Sequence, residues 1–296
     1  MARPFGVSES LDQEARDQVR AAGRRDAAAR NRQVAWVERT AFRAIHSIYR
    51  VHWLAALMRG ALNAVVPDSP REVRIAGGPL RGARIVVNLR AGKYWWLGTY
   101  EPWVQDLLVE AIRPGMRVWD VGAYFGYHTL LMRRLAGPRC VVALEPDAQN
   151  RAHLERHLVL NDARDVRVLP VAAGAEPRRG SVRKRRVPSG NEVIPSDQNG
   201  DVDIVTLDSL VDQHGPPALV KIDVEGAEAD VLTGASRLIE HIKPTWIIEL
   251  HTTDATPFAR LREAGYRIEM VGREVDAMSS DLPGGPVHLV ARPQSP

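Results

Sequence analysis

The chain predicts an α/β fold in which a mostly parallel sheet is covered by helices on both faces. Three observations carry this. Short apolar, β-branched stretches alternate with helical stretches of about ten residues, the pattern a doubly covered sheet needs. Proline and glycine punctuate the joins. Residues 117 to 145, RVWDVGAYFGYHTLLMRRLAGPRCVVALE, read as strand, glycine turn, helix, strand and terminal carboxylate. With 296 residues and 45% hydrophobic composition the chain can bury a sizeable core, so disorder throughout is excluded.

Residues 1–33 form a polar arm rich in Ala and Arg that proposes no chemistry. From 34 to 66, Val34, Val37, Ala41, Ile45, Ile48, Trp53, Leu57, Leu62 and Val65 recur at helical spacing between arginines, which predicts an amphipathic helix or helix pair. Its charge-free run, 51–58, is far short of the roughly 18 residues that cross a bilayer. Packing on the main domain or on a second copy is the first reading, and docking on a membrane surface the second. VRIAGGPLRGARIVVNL predicts two short strands around a Gly-Gly-Pro turn, and residues 101–112 a helix entered through Pro102. Pro114-Gly115 then closes a helical and hairpin entry module spanning 34–115, before a main domain at 116–296.

In that domain the predicted strands are 117–121, 140–144, 166–169, 218–222, 245–250, 266–270 and 287–290. The predicted helices are 127–135, 148–160, 227–239 and 257–264. Residues 176–201 break the pattern with glycines, prolines and six basic residues between Arg178 and Arg186, so they read as an irregular insertion, a solvated loop or a lid for an anionic group. Alternation resumes at VDIVTLDSLV.

Composition narrows the function classes. The net charge of +4 is a modest excess, aromatic content is 6%, and no helix-turn-helix, zinc-finger or stacking platform is present, so nucleic-acid binding is disfavoured. Cys140 is the only cysteine, which rules out an intramolecular disulfide and leaves thiolate zinc ligation without a second sulfur; within CVVAL it reads as a buried small side chain. The N-terminal stretch lacks the apolar centre of a signal peptide, and cytoplasmic residence is the expectation.

Gly122 and Gly126 let the chain leave the first strand, turn sharply and enter a helix close to a ligand. Asp120 precedes them at the strand end, where a carboxylate repels a pyrophosphate and suits the ammonium of an amino-acid moiety. That favours S-adenosylmethionine over NAD. Glu145 ends the second strand, where a carboxylate accepts both ribose hydroxyls, and Asp147 caps the next helix.

A second acidic group lies in LVKIDVEGAE, with Lys221, Asp223, Glu225 and Glu228 at the ligand-binding edge of the fourth strand. The fifth strand ends IIELH, so Glu249 and His251 share a face. With an unperturbed pKa of about 6.5, His251 can take a proton from a hydroxyl or orient it. Asp223, Glu249 and His251 also suit oxygen and nitrogen metal ligation, but the spacing is that of no strong metal motif, and no metal is expected.

Taken together, GTYEP (98–102), DVGAYFGYHTL (120–130), ALEP (143–146), VTLDSL (205–210), VKIDVEGAE (220–228) and IELH (248–251) resemble the FkbM-type methyltransferases. The resemblance implies a class I methyltransferase, Rossmann-like, with a mostly parallel seven-stranded sheet. It implies methyl transfer from S-adenosylmethionine to a hydroxyl of a sugar, glycolipid or natural-product intermediate. Carried over, Gly122, Ala123 and Gly126 line the methionine side with Tyr124, Glu145 holds the ribose, Glu101 serves the cofactor or its lid, and Asp223, Glu225 and His251 face the cleft. The family commonly has Asn where this chain has Tyr124. The competing readings are a scaffold protein using 34–66 as its partner surface and an NAD-linked oxidoreductase, which explains Glu145 but not Asp120.

Overall fold

The computed structural model describes residues 68–184, 191–196, 200–251, 256–271 and 287–294. The readings made for 1–33 and 34–66 lie outside the described residues. The compact unit that contains the sheet begins at Asp68.

The chain opens with the expected hairpin, β1 (Pro70–Arg74) antiparallel to β2 (Arg84–Asn88). The aromatic stretch then makes a short helix, α1 (Lys93–Leu97), and α2 (Pro102–Ala111) follows with Pro at its first position. The parallel part of the main sheet comprises β3 (Val118–Val121), β4 (Val141–Leu144), β5 (Arg167–Leu169), β10 (Leu219–Ile222) and β11 (Thr245–Leu250). Between them run α3 (Tyr127–Ala136), α4 (Ala148–Leu160), α5 (Leu207–His214) and α6 (Glu228–Thr233). The last helix and strands are α7 (Thr256–Glu263), β12 (Tyr266–Val271) and β13 (Val287–Pro293).

The sheet order is β12-β13-β11-β10-β3-β4-β5. β13 is antiparallel to both its neighbours, a reversal the sequence alone does not reveal. All residues of β3, β4 and β10 are buried, as central parallel strands covered on both faces must be. Alternation sorts them into two layers. Val141 and Ala143 join the cluster formed with β2, α2, α3 and α4, while Val142 and Leu144 join the one under α5, α6 and α7. Asp147 caps α4 by accepting from the Gln149 and Asn150 amides at 2.8 and 2.9 Å, and the Thr206 hydroxyl caps α5. Cys140 is only half-buried, because it precedes β4 instead of lying within it.

Two expectations are corrected. The insertion at 176–201 is not wholly irregular: β7 (Arg178–Arg183) pairs with β8 (Glu192–Pro195) on one side and with β9 (Val202–Val205) on the other, and β9 pairs with β6 (Val171–Ala173) to make a four-stranded sheet. Its core is small, with Val182 and Val193 packed on Ala172, Val202 and Ile204, so hydrophobic content gave little signal. The single helix expected at 227–239 is broken. α6 stops before Gly234, where a Cβ would lie 2.1 Å from the Gly174 carbonyl oxygen, and a π-helical turn follows at Leu238–Ile242. Among the described residues no helix is long and apolar enough to cross a membrane.

Candidate active site

The C-terminal ends of β3, β4, β10 and β11 and the start of α2 open onto one cavity of about 460 Å³, within the range of small-molecule sites. Ligands collect at this edge in open α/β sheets because the chain diverges there into loops on both faces. The cavity is lined by Glu101, Asp120, Gly122, Ala123, Tyr124, Glu145, Asp223, Glu225, Glu249 and His251. Gly126 is not a lining residue; it caps α3 instead.

The glycine turn is shaped by the protein as well as by any ligand. At Gly122, φ is 84°, and a Cβ would sit 1.7 Å from the Asp223 carbonyl oxygen. At Gly126 a Cβ would sit 2.3 Å from a Leu154 methyl carbon of α4. Tyr124 also takes a left-handed conformation, φ 50°, which an Asn tolerates better than a Tyr. That geometry aims the Tyr124 amide at Glu145 Oε2, at 2.7 Å, while the Asp147 amide donates to Oε1 at 2.9 Å. Burial nevertheless pushes the Glu145 carboxyl up to about 7, partly offset by these two donors. Buried His157 braces the turn from below: its Nε2 accepts from the Val86 amide of β2, so Nδ1 donates to the Phe125 carbonyl at 2.8 Å.

The other half of the cavity is a network of charges. Asp120 is fully buried; its Oδ2 accepts from the Thr129 hydroxyl at 2.6 Å, and its Oδ1 lies 3.8 Å from Lys221 Nζ. Burial raises the Asp120 pKa, with Lys221 and Thr129 opposing. Lys221 Nζ also donates to Asp223 Oδ2 at 3.0 Å. Burial alone lowers an ammonium's pKa, but the carboxylates of Asp223, Asp120, Glu101 and Glu249 outweigh it, so Lys221 stays charged. His251 is held at Nδ1 by Glu228 Oε1, 3.0 Å away, and its Nε2 lies 3.5 Å from both Glu225 and Glu249. Burial opposes its charge, yet these acids push it up to about 9. Glu249 Oε2 lies 3.1 Å from His288 Nε2. Burial opposes its charge too, but His288, Lys221 and His251 hold the Glu249 carboxyl below its usual range.

Among the described residues, two groups have potential metal-ligand atoms within 4.8 Å of one another, Glu101 with Glu249 and His288, and Asp223 with Glu249 and His251. Trp103 Nε1 donates to His288 Nδ1 at 3.2 Å, which leaves the ring proton on Nε2 and removes the lone pair a metal needs. In the second group the Lys221 ammonium already neutralises Asp223.

Several participants escaped sequence reasoning. His288 reaches the site because β13 pairs with β11 and sets it opposite Glu249. His128 and Tyr100 enter through the packing of α3 and the loop before α2, and their rings stack at 5.5 Å. Asn191 and Val193 of the inserted hairpin line the cavity beside Glu145. The described basic residues of the insertion are matched to the chain's own acids: Arg178 with Glu176 and Asp230, Arg179 with Asp203, Arg183 with Glu192 and Lys184 with Asp147.

The Methyltransferase FkbM domain model matches residues 120–268. The hexuronic acid methyltransferase AglP of Haloferax volcanii is 26% identical over 150 residues, 49% of this chain and 60% of that protein, so the chain spans under two thirds of that relative's length. Methyltransferase FkbM of Methylobacillus flagellatus superposes with a TM-score of 0.42 at 22% identity, covering 69% of this chain and 53% of that one. For the precorrin-6y C5,15-methyltransferase of Geobacter metallireducens the TM-score is 0.41 at 15% identity, with 64% and 87% covered. The matched half of the chain begins at the buried carboxylate of Asp120 and contains the glycine turn, Glu145 and the Asp223–His251 network, and on that match the chain belongs to the FkbM methyltransferase family.

Proposed function

We propose that the protein is an S-adenosylmethionine-dependent O-methyltransferase acting on a sugar hydroxyl. The observation that carries this is the division of one cavity into a ribose-type carboxylate beside a glycine turn and a charged network two strands away. The family implies the methyl donor, and the cavity walls fit it. Each Glu145 oxygen accepts one backbone amide and keeps a lone pair for a ribose hydroxyl. Among the described residues Asp120 Oδ1 is buried with no hydrogen-bond partner, and it offers an acceptor to an ammonium. Gly122, Ala123 and Tyr124 line the wall between them. When bound, S-adenosylmethionine supplies an electrophilic methyl group carried on a positively charged sulfur, with S-adenosylhomocysteine as the product.

The chain's own residues do the rest. Asp120, Asp223, Glu225 and Glu249 surround the cavity with negative charge, which favours a cationic donor. Lys221 locks Asp120 and Asp223 at adjacent strand ends. Among the catalytic candidates His251, Asp223 and Glu249, the imidazole pushed up to about 9 is protonated at neutral pH and serves best as a donor that orients the acceptor oxygen. Positioning an acceptor in line and excluding water supplies much of the rate in such a reaction. A wall of carboxylates, imidazoles and the Tyr100 ring suits a polyhydroxylated acceptor, and the relative named for hexuronic acid points to the same class.

Calorimetry with S-adenosylhomocysteine and with NAD, followed by tritiated methyl transfer onto a panel of neutral hexoses and hexuronic acids, tests the reading. Binding of the first and label in a sugar are expected. Binding of NAD instead, or no binding of S-adenosylhomocysteine, overturns it.

A further inference from the structure

The acids of the cavity differ in how far the protein has already claimed them. Both Glu145 oxygens accept backbone amides. Asp223 is bonded to Lys221, Glu249 lies between His251 and His288, and Glu225 faces His251. Asp120 is bonded to Thr129 and sits beside Lys221. Glu101 lines the cavity and is touched by the Tyr100 hydroxyl, yet among the described residues its Oε2 is buried with no hydrogen-bond partner. Asp120 Oδ1 is also unpartnered but faces the Lys221 ammonium, whereas Glu101 Oε2 faces an imidazole nitrogen, His128 Nε2 at 3.7 Å, that is buried and unpartnered too. Two facing polar atoms left unsatisfied in a buried site are costly and call for a group that bonds to both. A hydroxyl does so, donating to the carboxylate and, with the ring proton on Nε2, accepting from His128.

Resting on the methyl-transfer reading above, we propose that Glu101 is the catalytic base, its Oε2 receiving the acceptor's hydroxyl proton. Glu101 takes that proton while a carbon–oxygen bond forms to the methyl group and the carbon–sulfur bond breaks, with its electron pair left on sulfur. A carboxylate and a sulfonium thereby become a neutral acid and a neutral thioether, a change that a buried site favours.

The surroundings are built to hold this side chain in place. Glu101 has φ 40° immediately before Pro102, a left-handed conformation of about 1–3 kcal/mol strain for a non-glycine residue. Gln105 of α2 secures the loop by donating to the Gly98 and Tyr100 carbonyls. The titratable groups that face Glu101 are Tyr100 on its own loop, Tyr127 and His128 of α3, Lys221 and Asp223 at β10, Glu249 of β11 and His288 of β13. Burial and then the Glu249 charge push the Glu101 carboxyl up to about 7, with Lys221 and the Tyr100 hydroxyl opposing. Burial keeps His128 neutral. The acid therefore exchanges its proton near neutral pH, where a base must also be regenerated.

Carboxyl-carbon NMR of the unliganded, glutamate-labelled protein reads the group directly. A resonance titrating near pH 7 that is absent from Glu101→Gln is expected. Calorimetry should give Glu101→Gln and Glu101→Asp affinities for S-adenosylhomocysteine within about twofold of the native protein. Tritium transfer to the sugar panel should fall about 100-fold in Glu101→Gln, with partial recovery in Glu101→Asp. A Glu101 carboxyl titrating below pH 5, a tenfold loss of S-adenosylhomocysteine affinity in Glu101→Gln, or undiminished transfer overturns the assignment. Failure of the native protein to bind S-adenosylhomocysteine instead overturns the methyl-transfer reading, so the two fail separately.

Discussion

Lys221→Met tests the electrostatic frame of the site. The ammonium lies 3.0 Å from Asp223 Oδ2 and 3.8 Å from Asp120 Oδ1, and Asp120 has no access to water. Removing one partner of a buried pair leaves an uncompensated charge and costs about 3–5 kcal/mol. A unit of this size loses about 2–4 °C of Tm per kcal/mol, so a drop of about 6–20 °C follows. The pH dependence has a definite sign. The Asp120 pKa is already raised by burial, with Lys221 opposing, and removing that cation raises it further. A carboxyl whose folded pKa exceeds its unfolded value adds stability that is complete below the unfolded value of about 4 and is lost as pH rises through the folded one. The deficit of the variant should therefore be small near pH 4 and grow towards pH 8. Thermal melts of native protein, Lys221→Met and Lys221→Met/Asp120→Asn at both pH values give the measurement. The carboxamide introduced by Asp120→Asn still accepts from Thr129 and carries no charge, so the double variant should regain more than half the loss at pH 8. Equal melting of native protein and Lys221→Met, or a deficit that Asp120→Asn does not repair, refutes the reasoning.

Other outcomes follow from the same geometry. Gly122→Ala forces a side chain into the Asp223 carbonyl at φ 84° and should cost about 3 kcal/mol or more, seen as a lowered urea midpoint without any ligand present. Glu228→Gln weakens the hydrogen bond that holds His251, so the imidazole midpoint, about 9 in the native protein, should move down by a unit or more in a nitrogen-15 titration. Glu145→Ala frees the Tyr124 and Asp147 amides and removes the ribose acceptor, and should weaken S-adenosylhomocysteine binding about 100-fold by calorimetry. Glu101 and Glu145 are each raised from 4.5 to about 7, so each contributes on the order of 3 kcal/mol that is present below pH 4.5 and lost by pH 7. Unliganded protein should accordingly resist urea better at pH 5 than at pH 8, a difference reduced in Glu101→Gln.

Local patterns made most of the sheet legible. β4 and β11 are visible as largely apolar runs beside Pro146 and Pro244, because burial on both faces favours apolar residues within a strand, and Asp147 marks the start of α4. The donor side was legible for a related reason: a tight turn needs glycine, and a strand-end acid beside it has few structural uses, so Asp120, Gly122 and Glu145 stand out in the linear chain. The inserted hairpin was hidden because β7 and β8 pack only a few aliphatic side chains and β7 faces its arginines outward.

What the sequence determined by itself was the order of the seven strands of the main sheet, with the helices after β3 and β4, and the residues at those strands' ends, since these follow from periodicity and turn chemistry within a few neighbours. Tertiary structure alone decided which of those ends share a cavity and what state their acids take. β13 reverses into the sheet and brings His288 to Glu249, and α2 carries Glu101 over the same opening from the far side of the glycine turn. The protonation of Glu101, Glu145 and His251 depends on burial and on charges that are distant in the chain, and no window of sequence contains those distances.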